Sequence, residues 1–394
     1  MTSDGIFEEY VRIRDGIRYL SGGREYSREE TEELLRSPDP FERARAWEML
    51  RGGRAGAEDA LVALLGRALS ARQARAAAAA PAMDSGALLA AAASLRGPLL
   101  RALELKAGRV GASGFSCRDL RARLPAPADA QMPLAEALRR LGLILDGAVE
   151  GGRGLIMEFF PGNRLLLEGD VPLCLRPDPS SPAIVRLPES FRGVYPSDLP
   201  VIAHELGRAV QSDIASRAGG DGGFRPVFAG LLGHFFEELA WSGLIAGAGP
   251  HAASELAFDR LPRLAEDFLL VPAVLEFEEE SSAAAAAGTL TPAFIAGLDK
   301  EIFTRWLGAD AEGAGFWTRE DALFRPEPYG SLDRLAGRFL PLALSRGGRA
   351  GAADLEAAVA DAAALAPADW LARRAPGGWT ALAAAALDTL SVLE

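Results

Sequence analysis

The chain has 394 residues, 49% of them hydrophobic and 24% charged, with a formal net charge of -12. That length allows a sizeable core and about one to three domains, while the acidic balance, without any face-length basic run, excludes a nucleic-acid surface built on clustered phosphate contacts. Two cysteines, Cys117 and Cys174, are too few for a disulfide framework, and their spacing is not that of a metal-binding pair. They read as small buried hydrophobes in a reducing compartment. The opening MTSDGIFEEYVRIRDG lacks a signal-peptide pattern, and no apolar run approaches the roughly 18 residues of a spanning helix. The expectation is a cytoplasmic protein with no membrane and no nucleic-acid partner.

Alanine-rich stretches with few β-branched residues, such as RQARAAAAAPAMDSGALLAAAASLRG, predict a mainly α fold. From about residue 5 to 111 the chain reads as successive helices. Ser27, with Glu30 three residues on, marks one helix start, and Ser37-Pro38-Asp39-Pro40 breaks the chain and caps the next helix. In that second helix Ala44, Trp47 and Leu50 form a core-facing stripe. The stretch also looks like a single HEAT-type unit, but no second copy follows, as a solenoid would require.

Between about 151 and 187 short apolar runs bounded by Gly, Pro and Asn predict a few strands. Ser197-Asp198 with Pro200 then starts a helix carrying Ile202, Leu206, Val210 and Ile214 on one stripe, with His204 and Arg208 on a neighbouring face. After the Gly-rich RAGGDGGFRP another helix runs from about 227 to 245, and the remainder is helical. The expected organisation is an N-terminal helical region, 1–150, followed by a catalytic-type lobe, 151–394, in which a small sheet packs beside the His204 helix.

The stretch SDLPVIAHELGRAV carries most of an HExxH signature and then departs from it. Two histidines one helical turn apart place two imidazoles where they grip one zinc ion, and the glutamate between them acts as general base. His204 and Glu205 are present, but Arg208 stands where the second histidine belongs. A guanidinium has no lone pair to donate and stays charged, so it cannot ligate zinc and repels a divalent cation.

Together with YSREETEELLRSPDPFERARAWEML, LELKAGRVGASGFSCRDLRA, RLPESFRGVYPSDLPVIAHELGRAVQS, FFEELAWSGLI and LEFEEESSAAAAAGTLTPAFI, this stretch resembles the oligoendopeptidase F and thimet oligopeptidase family of zinc peptidases. The resemblance runs through most of the chain. It implies a helical ellipsoid with a central channel, the zinc lying on the channel floor. Carried over by position, it makes His204 the first zinc ligand, Glu205 the general base and Glu238 the third ligand, with Arg208 replacing the second. Near the C-terminus Tyr329 falls on a substrate and oxyanion position. Ala322 stands where the family has a histidine, and Asp333 or Arg334 where it has a later tyrosine. PGNRLLLEG replaces a glycine-rich, lysine-bearing strand segment.

Among the three histidines, His234 lies four residues before Glu238 on one helix face, placed either as a substitute metal ligand or as a packing residue. His251 reads as an exposed loop residue. Trp241, one turn from Glu238, is a candidate substrate contact, while Trp47, Trp306, Trp317, Trp370 and Trp379 read as core or channel-wall residues. The acidic run Glu276, Glu278, Glu279 and Glu280 reads as a solvated helix face. The resemblance and its departures imply a pseudopeptidase that binds no cofactor and takes a peptide or a partner protein, an intact peptidase relative included. Two alternatives stay open. One is an active zinc oligopeptidase using His204, Glu238 and an atypical third ligand, with Glu205 activating water; the other is a structural helical module.

Overall fold

The computed structural model describes residues 3–76, 83–124, 131–159, 164–176, 181–217, 224–308, 315–325, 330–345 and 349–390. Among them helices dominate and strands are two to four residues long, the mainly α fold the composition predicts. The chain divides into two units, each built from two stretches: Met1–Pro125 with Leu261–Leu335, and Ala126–Arg260 with Ala336–Glu394. This departs from the expected division at residue 150. Residues 126–150 belong with the second unit and 261–335 return to the first, because long-range packing, which leaves no mark on composition, decides where a segment belongs.

In the first unit the local helix signals act as read. Ser27 Oγ accepts from the Glu30 amide at 3.1 Å while the Glu30 carboxylate accepts from the Ser27 amide at 2.8 Å, closing a capping box at the Arg28–Leu34 helix. Asp39 accepts from the Phe41 amide at 2.9 Å, with Pro40 opening the Pro40–Ala55 helix. Trp47 and Leu50 are buried as expected, but so is Arg43 between them and the break. Its Nε lies 2.7 Å from Asp119 Oδ1, and its Nη1 donates to the carbonyls of Ser37 and Pro38, both at 2.8 Å. The cation thereby satisfies the carbonyls that the Pro-containing break leaves open.

The acidic run does not form a solvated face throughout. Glu278 is buried against Arg72 at 2.5 Å, and Glu276 accepts from the Trp306 indole at 2.7 Å. Tyr10 stacks on Phe324 with centroids 4.1 Å apart and donates to the Thr318 carbonyl at 3.0 Å. Phe277 stacks on Trp317 beside Phe303 and Phe316.

The second unit holds the expected small sheet: Ile184–Leu187 runs centrally, parallel to Leu165–Leu167 and antiparallel to Leu173–Leu175. The strand expectation overreached at Gly152–Met157, which is a short helix. Apolar residues without alternation suit either element in so short a run, and here packing chose helix. The Leu199–Arg217 helix lies against the sheet, and its Asp213 accepts from the Ala183 amide at 3.0 Å. Ile202, Leu206, Val210 and Ile214 enter one core with Val185, Leu187, Leu141, Leu145, Phe235 and Phe236. No helix among the described residues is long and apolar enough to cross a membrane.

Candidate active site

Two helices of the second unit build the site, Leu199–Arg217 and Leu231–Ala246. They approach so closely that glycine is required on both. A Cβ on Gly207 would sit 2.3 Å from the Leu232 carbonyl oxygen, and one on Gly233 would sit 2.8 Å from Arg208 Cγ and 3.1 Å from the His204 carbonyl oxygen. The glycine of HELGR is thus the contact point of the crossing, costing helix propensity to let two backbones meet. Gln211 bonds the second helix from below, donating to the Phe228 carbonyl at 2.7 Å and accepting from the Leu232 amide at 2.9 Å.

At this crossing His204 and His234 face each other with ring centroids 4.5 Å apart. One carboxylate oxygen serves both: Glu237 Oε2 lies 3.0 Å from His204 Nδ1 and 3.2 Å from His234 Nδ1. Glu238, which the family resemblance implies as the third ligand, turns instead to Arg260, which donates to its Oε2. Neighbouring helical residues point about 100° apart, so only one of two adjacent glutamates faces the histidines. Glu237 was not expected, and the Glu237-Glu238 pair is the one signal in the sequence that could have found it.

Arg208 pairs with Glu205, its Nη1 3.1 Å from Oε2. Glu205 is only 7% exposed, whereas the Arg208 side chain is 36% exposed. The Arg338 guanidinium, from 104 residues further along, lies against the His234 ring, its Nη1 2.6 Å from Nδ1 and 2.9 Å from Nε2. Contact with both nitrogens places it over the ring rather than along one lone pair. Burial and this neighbouring cation push the His234 pKa down to about 3, so its imidazole is neutral near pH 7.

His204, His234 and Glu237 present ligand atoms within 4.8 Å of one another. Two imidazoles and a carboxylate form a donor set that zinc accepts, and spacings of 3.0 and 3.2 Å suit ligands sharing one ion. The surroundings do not fit. Arg338 already sets a positive charge on His234, Arg208 adds a second at the neighbouring Glu205, and the shared carboxylate oxygen satisfies both imidazoles without an ion. The arrangement is a hydrogen-bonded cluster flanked by two guanidinium groups.

The remaining expected residues are spread more widely. Trp241 is a buried core residue, 7% exposed, like the other five tryptophans. His251 lies not in a loop but in the first turn of the Pro250–Ala265 helix, exposed and 3.4 Å from Glu255. Tyr329 lies outside the described residues. Ala322 and Arg334 belong to the first unit, where Arg334 pairs with Glu320 and Glu266. Cys117 is buried, and Cys174 is half-buried with its thiol pKa pushed up to about 11 by burial.

The fold is similar to that of solved oligoendopeptidase-type structures. The structure matches a protein assigned as a peptidase from Chlamydophila abortus with a TM-score of 0.74 and 13% identity, over 99% of this chain and 72% of that one. It matches the oligoendopeptidase F of Enterococcus faecium at 0.64 and 14%, over 99% and 70%. A further structure assigned as oligoendopeptidase F matches at 0.71 and 16%, over 99% and 75%. No family model and no curated protein matches the sequence.

Proposed function

We propose that this chain is a non-hydrolysing relative of the oligoendopeptidase F-type peptidases that binds a peptide or a partner protein. The observation that carries the reading is the Arg208–Glu205 pair. A guanidinium replaces an imidazole at the second ligand position and also holds the carboxylate that a peptidase of this kind needs free to activate water. Both functions of the motif are lost through one residue. The peptide or protein ligand is inferred from the shared peptidase fold, an intact peptidase relative being one candidate partner.

The His204, His234 and Glu237 cluster favours the second reading, an active zinc peptidase with an altered ligand set. Zinc content of the purified, dialysed protein, measured with hydrolysis of a mixed peptide library, separates the two. The non-hydrolysing reading expects far less than one zinc per chain and no cleavage, because Arg338 and Arg208 oppose a divalent ion. Stoichiometric zinc together with turnover lost in Glu205→Gln would overturn it.

A further inference from the structure

The first unit contains a cavity of about 330 Å³ whose wall is crowded with arginine. Five separate segments supply the charges. Arg14 lies in the last turn of the Ser3–Asp15 helix, and Arg28 opens the Arg28–Leu34 helix. Arg118 and Arg121 come from the turn around Cys117–Asp119, Arg319 ends the Phe316–Arg319 turn, and Arg334 lies in the Gly330–Phe339 helix. A π-helical segment, Glu266–Leu270, puts Glu266 and Leu270 on the same wall; such segments are frequent at functional sites.

The acids on the wall account for only part of this charge. Glu32 pairs with Arg28 at 3.0 Å, and Asp321 with Arg14 at 3.2 Å. Glu320 and Glu266 both go to Arg334, at 2.5 and 3.1 Å. Arg118 reaches only Asp119, at 4.0 Å, and that carboxylate already holds Arg43 at 2.7 Å. Arg121 and Arg319 remain, and among the described residues neither forms an ion pair. Arg319 Nη2 is withdrawn from solvent without a hydrogen-bond partner.

A part-buried guanidinium with one nitrogen withdrawn from water, beside other cations and without a partner, is costly, and folded proteins rarely keep one without a use. Burial, and after it the neighbouring Arg54 and Arg121, push the Arg319 pKa down to about 9, with Glu32 opposing. Trp47 and Phe316, in ring contact at 6.0 Å, add an aromatic wall to the same cavity.

We propose that this cavity binds a small organic oxyanion, a phosphate monoester or a dicarboxylate, whose oxygens accept hydrogen bonds from Arg121 and Arg319. Planar guanidinium forks suit phosphate and carboxylate alike, and the aromatic wall suits the ligand's carbon body. The site stands whether or not the chain hydrolyses peptides.

The test is calorimetric titration and thermal melting of the full chain with inorganic phosphate and with succinate, against sodium chloride at matched ionic strength. Saturable binding of at least one anion, with a melting-temperature rise that chloride does not reproduce, is expected; preference for phosphate or for succinate assigns the ligand class. Arg319→Met and Arg121→Met should each weaken binding about tenfold or more, as expected for loss of a charge-assisted hydrogen bond. Arg123→Met, whose side chain is 61% exposed and pairs with Glu33, should leave binding unchanged. Because Arg319 is unpartnered, Arg319→Met should melt no lower than the parent in anion-free buffer, which separates a ligand role from a structural one. Equal responses to chloride and both oxyanions, or wild-type binding in Arg319→Met or Arg121→Met, would overturn the proposal.

Discussion

Replacing Gly207 by alanine sets two physical effects in opposition. By helix propensity alone the change should stabilise the Leu199–Arg217 helix by about 1 kcal/mol. In the fold the added methyl would lie 2.3 Å from the Leu232 carbonyl oxygen, 2.7 Å from its carbonyl carbon and 2.9 Å from Gly233 Cα, all backbone atoms that no rotamer change can move aside. Relieving the overlap requires the two helices to part by about 1 Å, at the roughly 1–3 kcal/mol typical of overpacking and towards its upper end. The expected net loss is about 2 kcal/mol, or about 4–8 °C in melting temperature for a unit of this size. Gly297, exposed in the Pro292–Leu307 helix with nothing within 4 Å of the place a Cβ would take, is the control, and Gly297→Ala should stabilise by about 1 kcal/mol. Thermal and urea denaturation of both variants decide the matter. A Gly207→Ala protein as stable as the parent or more so would show that the crossing is looser than the distances indicate.

Arg208→Ala should cost about 1–2 kcal/mol, between the values of exposed and buried pairs, because Arg208 is part-exposed while Glu205 is buried; an unchanged urea midpoint would show that the pair contributes nothing. Burial raises the Asp299 pKa from 3.8 to about 7, so between those values the folded chain holds a proton that the unfolded chain has released. Its contribution to stability is full below 3.8 and falls as pH rises towards about 7, by at most about 1.4 kcal/mol per pH unit. Asp299→Asn, which keeps a neutral acceptor for the Gly315 amide, should therefore gain on the parent steadily from pH 4 to 7, and a pH-independent difference in urea stability would refute this.

What the amino-acid order determined was local. Ser27 with Glu30, Asp39 with Pro40 and the Ile202, Leu206, Val210 and Ile214 stripe all act as read, because capping bonds and helical periodicity join residues within a turn or two of each other. Arg208 and Glu205 are likewise local, since residues three apart share a helix face and here form an ion pair. Three other features were decided by packing. Choosing Glu237 over Glu238 to face the histidines took the rotation of one helix against another, set at Gly207 and Gly233. Arg338 and Arg260 reach His234 and Glu238 from 104 and 22 residues away, beyond any sequence pattern. Glu278, solvated by its neighbours' composition, is buried because Arg72 is folded against it. Whether a charged side chain meets water or a partner depends on which distant segment covers it, and that is settled only when the chain has folded.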